Sequence, residues 1–164
     1  MHKSKLYALI MAQALIGFTA AMAATPIVKV FSYEEVLATQ NLSKPRIYIQ
    51  NLAGSVPISN FYYYYYFTTE NNKSPVLEDY YTPNSVPTLE ILGNNNYRIK
   101  FTFLGITLQP GQILPNASGE VIGIRYTDWS ALDKTNDYSN NINTTFALNP
   151  NIPVFLADGT QIYG

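Results

Sequence analysis

FYYYYYFTTE, Phe61 to Glu70, places five tyrosines in a row between two phenylalanines and closes on two hydroxyls and an acid. A run this dense in aromatic residues and bounded by turn-forming residues reads as a β-strand. Alternate side chains of a strand face opposite sides, so Phe61, Tyr63, Tyr65 and Phe67 share one face and Tyr62, Tyr64 and Tyr66 the other. The face that holds both phenylalanines belongs in a core. The other face leaves a stripe of tyrosines spaced about 7 Å apart, twice the ~3.4 Å rise of a strand. Such rings either stack on flat partners such as sugars or pack beneath a loop.

Further short runs of alternating apolar character lie on both sides of this strand: PIVKVFSY, PRIYIQNL, PTLEIL, YRIKFTFLG, EVIGIRY and IPVFLADGTQIYG. Turn-rich pieces such as ENNKSP, YYTPNSVP, LGNNNY, LQPGQILPNASG and KTNDYSNNINTT separate them. The weak stretch YEEVLAT is the longest amphipathic helix candidate after the N-terminal segment. Many short strands and so little helix predict an all-β, antiparallel β-sandwich in one domain.

The chain of 164 residues is long enough for a sizeable core, and its charged fraction of 13% is about half the usual quarter while 14% is aromatic. Lys+Arg 10 against Asp+Glu 11 leaves no basic excess to neutralise phosphates, which argues against nucleic acid as a partner. The start, MHKSKLYALIMAQALIGFTAAMAATP, has Lys3 and Lys5, an apolar run from Leu6 to Phe18, and Ala21 and Ala23 around Met22. This is the layout of a secretory signal peptide over residues 1–23, cut after Ala23, the alternative being an uncut anchor helix. The expected product, residues 24–164, is a secreted single module with no membrane attachment and a net charge of about −3. Cysteine is absent, so an exported chain relies on its core or on a metal. The best cluster of hard oxygen ligands lies in TTE and DKTND, the alternative being ordinary loop caps and Asx-turns.

Four stretches, KPRIYIQNLAGSVPISNFYYYYYFTTE, YRIKFTFLGITLQPGQ, TDWSALDKTNDYSNN and PVFLADGTQIYG, occur in an order that resembles a family 3 carbohydrate-binding module, the bacterial cellulose-binding domain. The most specific part is Asp128-Trp129-Ser130 with Asn136-Asp137-Tyr138-Ser139, placed after the Leu108–Gly111 turn. The resemblance implies a jelly-roll sandwich of about nine strands, no catalytic activity, and a flat strip on one sheet that binds cellulose. It also implies a structural Ca2+, with ligands mapping onto Thr68, Glu70, Asp133, Asn136 and Asp137. Glu70 stands where the family commonly has Asp, and Asp133 where it commonly has Thr.

In the strip, the matching positions are Asp79, Tyr80 and Trp129, with Arg125 displaced by one residue from the family's arginine. Tyr80 replaces a histidine commonly paired with the acid, and Tyr81 stands near a family tyrosine that has no secure counterpart. Asp128 either pairs with Arg125 or caps its own turn. Nothing in the residues argues for an enzyme, because the single His lies in the N-terminal segment and no carboxylate pair stands out. The first expectation is therefore a reader of cellulose or a related β-glucan. A second is a structural or adhesive assembly protein that associates with itself through the Tyr62, Tyr64, Tyr66 stripe. A third is a module that assists a cellulase supplied in trans.

Overall fold

The computed structural model describes residues 27–36 and 40–164. The expected signal segment and the Leu37–Thr39 part of YEEVLAT lie outside the described residues. Within them the chain forms only strands, turns and loops, and Tyr33 and Glu34 of the helix candidate complete a strand instead.

There are eleven strands: β1 (Val28–Glu34), β2 (Pro45–Asn51), β3 (Ile58–Thr68), β4 (Pro75–Tyr81), β5 (Val86–Gly93), β6 (Asn96–Leu108), β7 (Ile113–Leu114), β8 (Glu120–Tyr126), β9 (Ala147–Leu148), β10 (Val154–Leu156) and β11 (Gln161–Tyr163). One sheet runs β4-β8-β2-β1-β9, with β7 also on β2, and the other runs β11-β10-β3-β6-β5. Every pairing is antiparallel, and the two sheets form the jelly-roll sandwich expected. The count exceeds about nine because β7 and β9 are two-residue strands too short to be read from a hydrophobic pattern.

The opening run is β3, and its alternation decides the core. Phe61, Tyr63, Tyr65 and Phe67 are all at most 2% exposed. Their partners on β6 form a ladder of rings: Phe61 stacks on Phe103 at 4.5 Å, Tyr63 on Phe101 at 4.6 Å and Phe67 on Tyr97 at 5.5 Å. From the facing sheet come Val28, Val30, Ile47, Ile49, Ile122 and Ile124. Offset aromatic pairs of this kind add about 0.5–1.5 kcal/mol each beyond the area they bury.

The outward tyrosines do not form a bare stripe. Tyr64 is only 8% exposed, because the Arg98 guanidinium lies 3.8 Å over its ring and Phe155 packs at its edge. Lys100 covers Tyr62 at 4.1 Å in the same way. The covering cations come from β6, so a reading confined to β3 misses them.

Three acids are buried among the described residues, Glu34, Asp137 and Glu120, and the last of them bonds to a core tyrosine. Glu120, 1% exposed, accepts hydrogen bonds from Tyr63 Oη at 2.6 Å and Ser85 Oγ at 2.7 Å. Burial pushes its carboxyl up to about 7, against the two hydroxyl bonds that favour the anion. The folded state therefore favours the neutral acid. That contribution is fully present below about pH 4.5, declines as pH rises towards 7 and is gone above it, a change of about 3 kcal/mol at most. Glu120→Gln should flatten this slope in denaturant-unfolding midpoints measured from pH 4 to 8; an unchanged slope would assign the effect elsewhere.

Candidate functional site

The outward face of the β4-β8-β2-β1-β9 sheet carries the exposed rings of Tyr80 and Trp129, while exposed Tyr138 lies against Tyr66 on the other sheet. The β8 sequence EVIGIRY sends Ile122, Ile124 and Tyr126 inward and leaves Gly123 and Arg125 outward. Glu78 on β4 sits opposite Gly123, and Val76 opposite Arg125. Arg125 Nε donates to Glu78 Oε1 at 2.5 Å, and Tyr80 Oη donates to Glu78 Oε2 at 2.7 Å. These two bonds, Tyr80's first, hold the Glu78 carboxyl below its ordinary range, so it stays an anion between a phenol and a guanidinium.

Beyond Arg125 the chain turns, and Trp129 N donates to Tyr126 O at 3.1 Å. Trp129 adopts φ +53°, a left-handed conformation that costs a bulky L-residue roughly 1–2 kcal/mol. The result is an indole 48% exposed, with the Arg125 guanidinium 4.1 Å from its ring. A bulky apolar side chain held in solvent at the expense of backbone strain points to function. Asp128 caps this turn through Ser130 N at 3.1 Å and pairs with Lys73 at 2.7 Å, not with Arg125. The Lys73 bond holds the Asp128 carboxyl well below its usual range.

Tyr80, 47% exposed, lies across Gly123. A Cβ at that glycine would meet the Tyr80 ring at 2.6 Å and Leu42 at 3.2 Å, so the absence of a side chain lets the ring lie on the sheet. Lys44 Nζ sits 4.7 Å over the same ring.

The structure thus brings together Tyr80, Arg125 and Trp129, and not Asp79. Asp79 is paired with the core residue Ile122 and accepts from Thr82 Oγ1 at 2.6 Å, on the other side of β4. The acid beside Tyr80 is Glu78, two residues back, which the alternation of a strand would have identified. Gly123 had a sequence signal too, a glycine within a strand pattern.

At one end of the sandwich, the expected cation ligands converge in part. Asp137 Oδ1 accepts from Thr68 N at 2.7 Å and Thr68 Oγ1 at 3.1 Å, and Thr68 Oγ1 also donates to Asn136 Oδ1 at 3.0 Å. Glu70 is fixed by Tyr126, whose hydroxyl donates to Glu70 Oε2 at 2.6 Å and accepts from Glu70 N at 2.8 Å. Two buried carboxylate oxygens, Asp137 Oδ2 and Glu70 Oε1, have no hydrogen-bond partner. Burial pushes the Asp137 carboxyl up to about 7, with the Glu70 and Asp133 charges acting in the same direction. Asp133 has its Oδ1 engaged in its own turn, accepting from Thr135 N at 2.9 Å and from the Thr135 hydroxyl. Among the described residues, no group of three or more His, Cys, Asp or Glu forms a metal centre. The arrangement is a carboxylate pair backed by amide and hydroxyl oxygens, a donor set of hard-cation type.

The loop that brings Asn136 and Asp137 here is pinned by Lys134. Its ammonium, 4% exposed, donates to the Val36 and Leu42 carbonyls and lies 3.6 Å from Glu34. Lys134 was not among the residues singled out from the sequence, since a lysine in a polar loop carries no sign of being buried.

Residues 30–164 match the family model described as cellulose binding domain. No curated protein matches the chain in sequence. Among solved structures, the CBM3b module of the cellulosomal cellobiohydrolase 9A of Clostridium thermocellum is similar with a TM-score of 0.68 at 28% identity, over 84% of this chain and 96% of that one. The CBM3a-L domain of the scaffoldin cipA, from the cellulosome of the same organism, gives 0.70 at 21% identity, over 87% and 92%. A family 3b module from the biomass sensoring system of Clostridium clariflavum gives 0.68 at 19%, over 84% and 95%. The last two identities speak to fold alone.

Proposed function

The chain belongs to the cellulose-binding domain family, and from that premise we propose that it is a secreted, non-catalytic module that binds cellulose or a related β-glucan through Trp129, Tyr80 and Arg125. The observation that carries this reading is Trp129, half exposed at a strained backbone angle beside the Arg125–Glu78–Tyr80 row. Sugar rings present C–H faces to aromatic rings and hydroxyls to polar groups, and this row supplies both. The Glu78–Arg125 pair is partly exposed and contributes little to stability. Its value lies in orienting donors and acceptors beside the rings.

Structural Ca2+ belongs to the same reading, held by Thr68, Glu70, Asn136 and Asp137. The two unpartnered buried carboxylate oxygens support this, since a divalent cation would satisfy both. Asp133, committed to its own turn, is left out. Secretion rests on the basic, apolar and small-residue order of residues 1–23, with cleavage after Ala23.

The test is retention of the purified protein on microcrystalline cellulose in the presence of calcium. Retention that Trp129→Ala removes supports the reading, and an intact protein that stays in solution overturns it. Gly123→Ala gives a finer check, because it changes no exposed ring yet forces Tyr80 off the sheet. It should weaken retention several-fold with unfolding free energy changed by about 1 kcal/mol or less. Equal retention would mean that the lie of Tyr80 is irrelevant. Self-assembly through the tyrosine stripe is the weaker reading, because Arg98 already covers Tyr64.

A further inference from the structure

The outward face does not end at Tyr80. Lys44, which covers that ring, pairs with Glu35 at 3.0 Å, and Glu35 also takes Arg46 Nε at 2.6 Å. Arg46 lies opposite Tyr33 in the β1–β2 register, both outward. Tyr33 meets Phe146 edge-on at 4.8 Å, Phe146 meets Tyr48 at 4.6 Å, and Tyr48 stacks on Phe31 at 4.9 Å. A second aromatic cluster therefore sits on the same face as the first, linked to it through Lys44 over the Tyr80 ring and the Lys44–Glu35–Arg46 pairs. From β4 to β1 is three strand steps, about 14 Å at ~4.8 Å each.

Beside this cluster is an open groove of about 360 Å³, with Tyr33 and Phe146 as its rings and Arg46, Ser118, Thr144 and Thr145 as its polar lining. Ser118, Thr144 and Thr145 are exposed and offer hydroxyls that both donate and accept. Arg46 Nε is held by Glu35 and its Nη1 donates to the Ser118 carbonyl at 3.2 Å, so the guanidinium is already engaged within the protein and is not free to clamp an anion. Rings, hydroxyls and a guanidinium committed to protein partners suit a neutral polyol. We infer that this groove is a second carbohydrate subsite, which takes a hexose unit of a β-glucan chain lying across the strands from the Trp129–Tyr80 row. The inference rests on the proposed glucan-binding reading and extends it across the sheet.

The experiment is a titration of the isotopically labelled protein with cellohexaose by NMR, together with binding isotherms on cellulose for Tyr33→Ala, Phe146→Ala and Thr144→Glu. Thr144 is exposed, so its replacement obstructs the groove without touching the core. Amide shifts at Tyr33 and Thr144–Phe146 in addition to Trp129, with about five- to tenfold weaker binding by Thr144→Glu and the ring variants, are expected. Unchanged isotherms for folded variants, with shifts confined to Trp129, Tyr80 and Arg125, would overturn the subsite and leave the glucan reading standing. A wild type that neither shifts nor is retained on cellulose would overturn both.

Discussion

Trp129→Ala should release the protein from cellulose while leaving it folded. Trp129 is the single tryptophan of the chain, it is 48% exposed, and its ring touches Arg125 at 4.1 Å without entering the core. An indole laid on a sugar face removes on the order of 100 Å² of apolar surface from water, worth about 2.5 kcal/mol at ~25 cal/mol/Å². Each 1.4 kcal/mol is tenfold, so the loss in affinity should be roughly 50-fold. Folding should change by less than about 1 kcal/mol, because an exposed side chain is removed. The backbone angle supplies an internal control. At φ +53° alanine keeps the left-handed strain and glycine does not, so Trp129→Gly should melt above Trp129→Ala while binding equally poorly. Depletion isotherms and thermal melts on the three proteins decide it. A folded Trp129→Ala that binds like the wild type would move the working surface elsewhere.

What could be read from the residues, and what could not, follows from which interactions are local. The burial of Phe61, Tyr63, Tyr65 and Phe67 follows from alternation within one strand, and the structure has it so. The cover on Tyr64 depends on β6 lying beside β3 in a particular register, with Tyr66 opposite Arg98 and Tyr64 opposite Lys100. No property of the tyrosine run encodes that register. Asp79 and Glu78 divide on the same line. Motif matching picks the acid next to Tyr80, whereas strand geometry puts the acid two residues away on the same side, and the hydrogen bonds follow geometry. TTE and DKTND stand out from the residues as hard oxygen donors, but that Thr68 meets Asn136 and Asp137 across 68 positions comes from the resemblance. The Lys134–Glu34 contact that holds their loop in place had no signal of either kind.

Removing calcium should lower the melting temperature by roughly 8–12 °C, the second large effect expected. A ligand at 100 times its Kd stabilises the folded state by about 2.7 kcal/mol, and 1 kcal/mol moves the midpoint of a domain this size by a few degrees. The case starts from Asp137 Oδ2 and Glu70 Oε1, buried carboxylate oxygens that nothing in the protein satisfies. Left alone, the two like charges oppose folding, and a cation between them turns the repulsion into a link between the end of β3 and the Asn136–Asp137 loop. Asp137→Ala separates this from the general loss of a buried group. It deprives Thr68 N of its acceptor, so the variant should melt low with or without calcium, and chelator should then shift it by less than about 2 °C. Glu70→Gln, which keeps the shape and the bond from Tyr126, should reduce the calcium-dependent shift without such a large drop in the chelated state. If wild-type melting is the same in calcium and in chelator, the carboxylate pair is an uncompensated strain in the sandwich, and the Asn136–Asp137 loop is held without a cation by Thr68, Lys134 and the Ser139–Tyr66 bonds.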